Sequence, residues 1–369
     1  MQHLFVSYSP ALGGAERILL DLAEGLDSPP GLLCPPGPLS EAAAAAGLRV
    51  RPLRTRRLEL RGSAADRAGA PLRLAAQARE VRGAVRELSP RILVAWSMRG
   101  LFVCSAALAG VRPRPRLVFQ HNDLLPGPAV GATVRAAARR ADRVACLSRA
   151  IAEDLDPRGA LAGRLEVVHP GVDLQRFTAS GPPAEGDPEA LLLGAIEPWK
   201  RPELALEIVA AATRRLPGLR LTVAGAPLGE AGERLLAGLR GRAERDDLRG
   251  RIRFAGGLED PRPALAQASC LLHCADREPF GVALIKALAG GRPVVAPASA
   301  GPLEIVDESC GELYPPGDAR AGAEALARVL SDPEHAARMG AAGRDRAEAL
   351  FSLERFRELY GELLAAAGG

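Results

Sequence analysis

A carboxylate, a glycine turn and an apolar helical run follow one another at Arg277-Glu278-Pro279-Phe280-Gly281-Val282-Ala283-Leu284-Ile285-Lys286-Ala287, and a strand-like Gly291-Arg292-Pro293-Val294-Val295-Ala296 comes next. The start of a helix offers backbone N–H groups and a positive dipole end, which suit a phosphate. Glu278 would then stand beside whatever the phosphate carries. The same pattern also fits an ordinary turn whose glutamate is only a helix-start acid, so other segments must decide.

Three more loops place reactive or adaptable residues where a strand-like run gives way to a helix-like one. Gly13-Gly14-Ala15-Glu16-Arg17 follows the first strand candidate, and its glycines would let backbone approach a ligand closely. His121-Asn122-Asp123 follows Val118-Phe119-Gln120. A lone histidine in such a place is more often a satisfied structural residue. Pro198-Trp199-Lys200-Arg201-Pro202 sets one or two cations at another strand end, where plain surface charge is the competing reading.

The elements that must position these loops alternate along the whole chain. Strand candidates are Leu4–Tyr8, Arg91–Trp96, Leu117–His121, Arg143–Leu147 and Leu165–His169, then Ala190–Ile196, Leu219–Gly225, Arg251–Ala255, Cys270–Cys274 and Pro293–Ala296. Helix candidates include Ala15–Leu26, Pro71–Leu88, Val130–Arg140, Pro202–Leu216 and Glu278–Ala289, with a low-complexity helix at Ala42–Ala46. Alternation of this kind predicts parallel sheets with crossover helices. Thr178–Pro188 reads as a linker by composition. The expected architecture is α/β, two doubly wound parallel-sheet (Rossmann-like) domains. The first covers 1–177, a linker 178–189, the second 190–350, and a C-terminal helix within 351–369 is expected to pack across both. Ligands are expected at strand C-termini in an interdomain cleft.

Composition sets the outer limits. At 369 residues, 47% hydrophobic and 25% charged, the chain reads as a two-domain soluble protein. No apolar stretch approaches the roughly 20 residues that span a bilayer. Met1–Ser7 lacks a charged leader and reads as a first strand, so a cytoplasmic location is expected. None of the six cysteines forms a Cys-x-x-Cys pair; Cys270, His273 and Cys274 mimic a metal triplet, but packing is the preferred reading. The net charge is only +4, yet Arg49, Arg51, Arg54, Arg56, Arg57, Arg61, Arg67 and Arg73 crowd one stretch against Glu59 and Asp66. That stretch suits an anionic membrane surface, on the inner face of the cell membrane, or an anionic acceptor. An Arg-rich composition that decorates every solvated face explains it as well. Its lack of aromatic residues argues against nucleic acid.

Taken in order, the loops resemble the retaining GT-B glycosyltransferases of family 4. Gly13-Gly14-Ala15-Glu16-Arg17 is similar to that family's first loop, and Val168-His169-Pro170-Gly171-Val172-Asp173 with Arg176-Phe177 to its interdomain signature. Gly194-Ala195-Ile196-Glu197-Pro198-Trp199-Lys200 resembles its phosphate-binding segment, and Phe254-Ala255-Gly256-Gly257-Leu258 its base-binding loop. Glu278-Pro279-Phe280-Gly281 opens its E-x7-E segment, and Ala300–Val306 resembles its last donor loop.

The resemblance implies transfer of a sugar, with retention, from a nucleotide-sugar (a UDP- or GDP-sugar) without a metal or other cofactor. Catalytic roles would fall to His121 and Glu278. Donor binding would fall to Gly13, Gly14, Lys200, Arg201, Leu258, Phe280, Gly281, Val282, Lys286 and Glu304. Acceptor binding would fall to Glu16, Asn122 and Asp123, the acceptor being a sugar, a lipid-linked, polysaccharide or small-molecule hydroxyl. Two departures touch the donor site: the family's usual arginine is Ala195, and the second glutamate of E-x7-E is Lys286. Lys286 or Arg201 is expected to restore the missing charge, with 278 and 286 two turns apart on one helix face. The alternative is a catalytically weak or silent GT-B scaffold in a glycan assembly complex.

Overall fold

The sheets show why the apolar runs are short and continuous rather than alternating. In the computed structural model, which describes residues 1–54, 64–179, 181 and 186–369 (backbone only for 64–68), every paired strand is parallel. Parallel strands covered on both faces bury nearly every side chain. Two compact units are present: Met1–Pro170 with Glu354–Gly369, and Gly171–Leu353.

The first unit's described residues hold β1 (His3–Val6), β2 (Gly31–Cys34), β3 (Arg49–Pro52), β4 (Ile92–Trp96), β5 (Arg116–His121), β6 (Arg143–Cys146) and β7 (Leu165–Val167). Their order is β3-β2-β1-β4-β5-β6-β7. All five residues of β4 are buried, as its position at the centre requires. Growth of the sheet reverses between β1 and β4, so the loops after these two strands diverge and leave a natural ligand position. The helix Gly14–Glu24 follows β1 and buries Ile18, Leu19, Leu22 and Ala23. Its start is tied down twice. Gly13 N–H donates to Glu16 Oε2 at 3.1 Å, one half of a capping box. The Trp96 indole N–H donates to the Ala15 carbonyl at 3.1 Å.

The second unit's described residues hold β8 (Glu189–Leu193), β9 (Arg220–Ala224), β10 (Ile252–Gly256), β11 (Cys270–Leu272), β12 (Val294–Pro297) and β13 (Gly311–Tyr314), ordered β10-β9-β8-β11-β12-β13. The winding matches that of the first six strands of the other sheet, with its reversal between β8 and β11. Helix Pro202–Ala212 buries Leu204, Leu206, Ile208 and Val209 in a core shared with Leu326 and Val329 of helix Ala319–Leu330.

The α/β, doubly wound reading therefore holds for each unit. Strands β2, β3 and β13 had no counterpart among the sequence candidates. They are four residues each, too short to stand out by length, and β3 also exposes three of its four side chains, so hydrophobicity does not mark it. Pro71, expected to start a helix, lies inside helix Ala64–Leu88. The terminal helix Leu353–Gly368 groups with the first unit from Glu354 onward. There Arg357 Nε donates to the Asp21 carbonyl at 2.7 Å, and the Tyr360 ring lies 6.5 Å from Trp96. Part of the expected linker, residues 180 and 182–185, lies outside the described residues.

Candidate active site

In the second unit, the loops leaving β8 and β11 bring Lys200, His273 and Glu278 together at the sheet's reversal point. Lys200 Nζ donates to Glu278 Oε2 at 3.0 Å. His273 Nε2 approaches the same oxygen to 3.3 Å, without the alignment of a full hydrogen bond. Lys200 also lies over the Trp199 ring, 4.0 Å from its centroid, while the Trp199 indole N–H donates to Glu197 at 3.1 Å. A cavity beside this group is lined by Gly194, Ala195, Lys200, Pro202 and His273, among others. A larger depression around Asp307, Glu308 and Glu312 lies elsewhere, and its acidic lining does not suit a phosphate.

Glu278 is only 9% exposed. Burial by itself would raise its pKa, but His273 and the Lys200 ammonium outweigh burial and hold it down, at about 2. The carboxylate is therefore charged at neutral pH. Its loop is fixed from behind: Gly301 N–H donates to the Glu278 carbonyl at 3.0 Å. A Cβ on Gly301 would collide with the Phe280 backbone, so this close approach admits only glycine. Phe280 is buried edge-on against Phe351, 5.9 Å between centroids. Gly281, at φ +117°, caps helix Val282–Ala289, so the amides of its first turn begin immediately beyond Glu278.

Glu278 itself is not on that helix, although the sequence pattern starts the helix there. Pro279 and the left-handed Gly281 delay the helix to Val282, so the two-turn argument linking residues 278 and 286 fails. Lys286 instead lies over the Phe177 ring, 5.6 Å from its centroid. Arg201, also proposed to supply the missing charge, is held by Asp276 at 2.5 Å and Glu203 at 2.7 Å. Glu304 sits in the short helix Pro302–Ile305, and Leu258 in the loop after β10. Their ligand roles remain proposals.

His273 was missed as a site residue. Cys270 and Cys274 beside it pose a choice between metal and packing, which hides a third role for the histidine. Cys274 is buried, with its thiol pushed up to about 12 by burial, and among the described residues no His/Cys/Asp/Glu group is arranged to hold a metal. The usable signal was position: His273 directly follows the strand at the reversal point.

In the first unit, Gln120, His121 and Asn122 form a buried polar run at the end of β5. Gln120 Nε2 donates to Asn122 Oδ1 at 3.0 Å. His121 stacks on Phe119, 5.1 Å between centroids, and both its ring nitrogens are buried without a hydrogen-bond partner among the described residues. Burial pushes its pKa down to about 3, so the imidazole is neutral at physiological pH. A buried polar ring left unsatisfied is costly unless a ligand completes it. Asp123 is exposed. A Cβ on Gly14 would meet nothing within 4 Å, so packing does not demand a glycine there; Glu16 is engaged in the cap described above.

Of the Arg-rich stretch, Arg51 is paired with Glu87 at 2.5 Å. Arg56, Arg57, Arg61 and Glu59, with the side chains of Asp66 and Arg67, lie outside the described residues. No described helix is long and apolar enough to cross a membrane.

Comparison with known proteins bears on this arrangement. Residues 12–176 match the glycosyltransferase family 4 model, and residues 175–346 match that of the glycosyl transferases group 1. Together the two cover nearly the whole chain. The chain belongs to the GT-B glycosyltransferases and resembles family 4. It is similar to Anabaena HepE, solved in complex with UDP and glucose, at TM-score 0.84 and 21% identity over 99% of both chains. Sucrose-phosphate synthase from Thermosynechococcus elongatus shares the fold at TM-score 0.80 and 21% identity, covering 99% of this chain and 100% of that one. D-inositol 3-phosphate glycosyltransferase of Saccharomonospora viridis is 36% identical over 224 residues, 56% of this chain and 52% of that protein. The chain thus spans about half the length of such relatives. A lipopolysaccharide core glycosyltransferase of Rhizobium meliloti, LpsE, is 26% identical over 96% of each chain.

Within this GT-B chain, Lys200 and Lys286 are the only lysines in the sequence, against a total of 48 Lys and Arg. Both stand in the segments that resemble the family's donor site.

Proposed function

We propose that the chain is a retaining glycosyltransferase that moves a sugar from a nucleoside diphosphate sugar, with UDP or GDP as the nucleotide, to an acceptor hydroxyl. The observation that carries this reading is the convergence of Lys200, His273 and Glu278 at the β8/β11 reversal, beside the start of helix Val282–Ala289. Departure of the diphosphate concentrates negative charge as the sugar becomes oxocarbenium-like. In this reading Lys200 and the helix-start amides at Phe280, Gly281 and Val282 take up that charge. Glu278, kept ionised, orients sugar hydroxyls. His121, neutral and unsatisfied, accepts or donates a hydrogen bond near the sugar, and the open space beside Gly14 admits a close-lying phosphate, to which Gly13 adds its N–H once Glu16 releases it.

Donor assignments for Arg201, Leu258, Lys286 and Glu304, and acceptor assignments for Glu16, Asn122 and Asp123, belong to the same proposal. So do metal independence and a hydroxyl acceptor on a lipid-linked, polysaccharide or small-molecule carrier. A second reading, a silent GT-B scaffold, is favoured by one pair of observations. Ala195 brings no cation to the cavity, and the Arg201 guanidinium is already held by two carboxylates.

Thermal unfolding with UDP, GDP, ADP, CMP and dTDP separates the two. Ligand at a hundredfold its Kd adds about 2.7 kcal/mol to stability. A selective rise with UDP or GDP, followed by turnover of the matching sugar nucleotide, is expected of the enzyme. No shift with any nucleotide favours the scaffold.

A further inference from the structure

We propose that His273 is the positioning residue that keeps Glu278 anchored and ionised while Lys200 is engaged by the diphosphate of the donor. The inference rests on the function proposed above and assigns a role to a residue outside the resemblance to family 4.

Lys200 and His273 converge on one oxygen, Oε2, at 3.0 and 3.3 Å. Among the described residues nothing else bonds to the carboxylate, and Oε1 is left for a substrate hydroxyl. Lys200 has two duties in this site, and they compete. An ammonium that turns toward a diphosphate withdraws from Glu278. A carboxylate 9% exposed and stripped of its cation takes up a proton or swings outward. His273 prevents both, because it cannot follow the lysine away.

The backbone around His273 explains this rigidity. Its N–H donates to the Val295 carbonyl at 2.8 Å, extending the β11/β12 pairing by one residue. Its own carbonyl accepts the Tyr314 hydroxyl at 2.8 Å. The ring is 5% exposed and faces the carboxylate with Nε2, which must carry its hydrogen, since a lone pair there would repel the anion. The present separation is long for a hydrogen bond and closes by a small rotation of Glu278 once Lys200 departs.

The test uses the full chain and the sugar nucleotide that the wild type turns over fastest among UDP-glucose, UDP-galactose and GDP-mannose. His273→Leu should lower kcat at least tenfold and leave the donor KM and UDP affinity within about threefold. His273→Gln, whose amide reaches the same oxygen, should recover much of kcat; His273→Asn, which is too short, should not. The double variant His273→Leu/Glu278→Gln should be no slower than Glu278→Gln alone, since His273 acts only through that carboxylate. If the leucine variant does not fold, the Gln and Asn pair carries the comparison. Wild-type kcat in the leucine or asparagine variant, or further loss in the double variant, overturns the role of His273 alone. A Glu278→Gln enzyme with wild-type turnover, or a wild type inactive on every donor, overturns the proposed function and this inference with it.

Discussion

Replacing Glu278 by glutamine should make the stability of the chain less sensitive to acid by about 3 kcal/mol. The magnitude follows from the site. His273 and Lys200 overcome burial and bring the carboxyl from 4.5 down to about 2. Each pKa unit corresponds to about 1.4 kcal/mol of differential interaction. With Glu278 only 9% exposed, solvent screening removes little of this. The sign is that of a folded pKa below the unfolded one. The stabilisation is fully present above the unfolded value near 4.5 and is lost as pH falls toward 2. Roughly 2 kcal/mol of it should have gone by about pH 3. Urea unfolding of wild type and Glu278→Gln, at steps from about pH 7 to about pH 3, gives the difference curve. Other carboxylates titrate in both proteins and cancel. The difference should be level above about pH 5 and then fall in favour of glutamine. A difference flat to about 0.5 kcal/mol across the range would show that the ion pair contributes nothing differential, and the electrostatic account of the site would be wrong.

The remaining predictions use other parts of the two sites. Lys200→Ala should weaken UDP binding by about tenfold to a hundredfold, the scale of one charge-assisted hydrogen bond, read by titration calorimetry; unchanged affinity removes Lys200 from the diphosphate site. His121 has a folded pKa pushed down to about 3 from 6.5, so its imidazole NMR signals should hold still from about pH 8 to about pH 5. A titration near the ordinary value would mean the ring is solvated. Gly301→Ala should destabilise the fold by several kcal/mol, because its methyl group strikes the Phe280 backbone. Gly14→Ala should leave the melting temperature unchanged, since nothing lies within 4 Å of the new methyl, but lower turnover. A Gly14→Ala enzyme as active as wild type shows that no ligand approaches that backbone.

The layers of both units were legible because parallel strands buried on two faces must be short apolar runs, and the chain spaces them with helical stretches. What escaped were elements stabilised by their neighbours. Strand β3 carries Arg49 and Arg51 and is a strand because β2 pairs with it, not because its residues prefer to be buried. The same distinction separates the site residues. Glu278 and Lys200 are visible as charged residues at strand ends. The exact start of the helix after Glu278 is set by Gly281 at φ +117°. A glycine's conformation is not readable from its letter, and the false alignment of 278 with 286 followed. His273 needed the strand order, which makes β11 the neighbour of β8 and so brings together residues more than seventy positions apart.

The strand order also gives a reason for lysine at position 200 in a chain that otherwise relies on arginine. Arg201, one residue on, shows what a guanidinium does in this loop: its Nε donates to Glu203 and its Nη1 to Asp276, so two carboxylates hold it at once. A fork facing Glu278 would bind its carboxylate through two parallel bonds, in a bidentate pair. Lysine presents a compact charge on a flexible stem, resting on the Trp199 ring and on one oxygen of Glu278. Such a charge can leave the carboxylate for a phosphate without breaking two parallel bonds. With only two lysines in the sequence, the Lys286→Arg variant leaves Lys200 as the single lysine side chain, observable by NMR after 13C-dimethylation. Its resonance should move on adding UDP, and the Glu278→Gln substitution should displace it before any nucleotide is added. A Lys200 signal indifferent to UDP would mean that the ammonium is a structural partner of Glu278 and never exchanges it for phosphate.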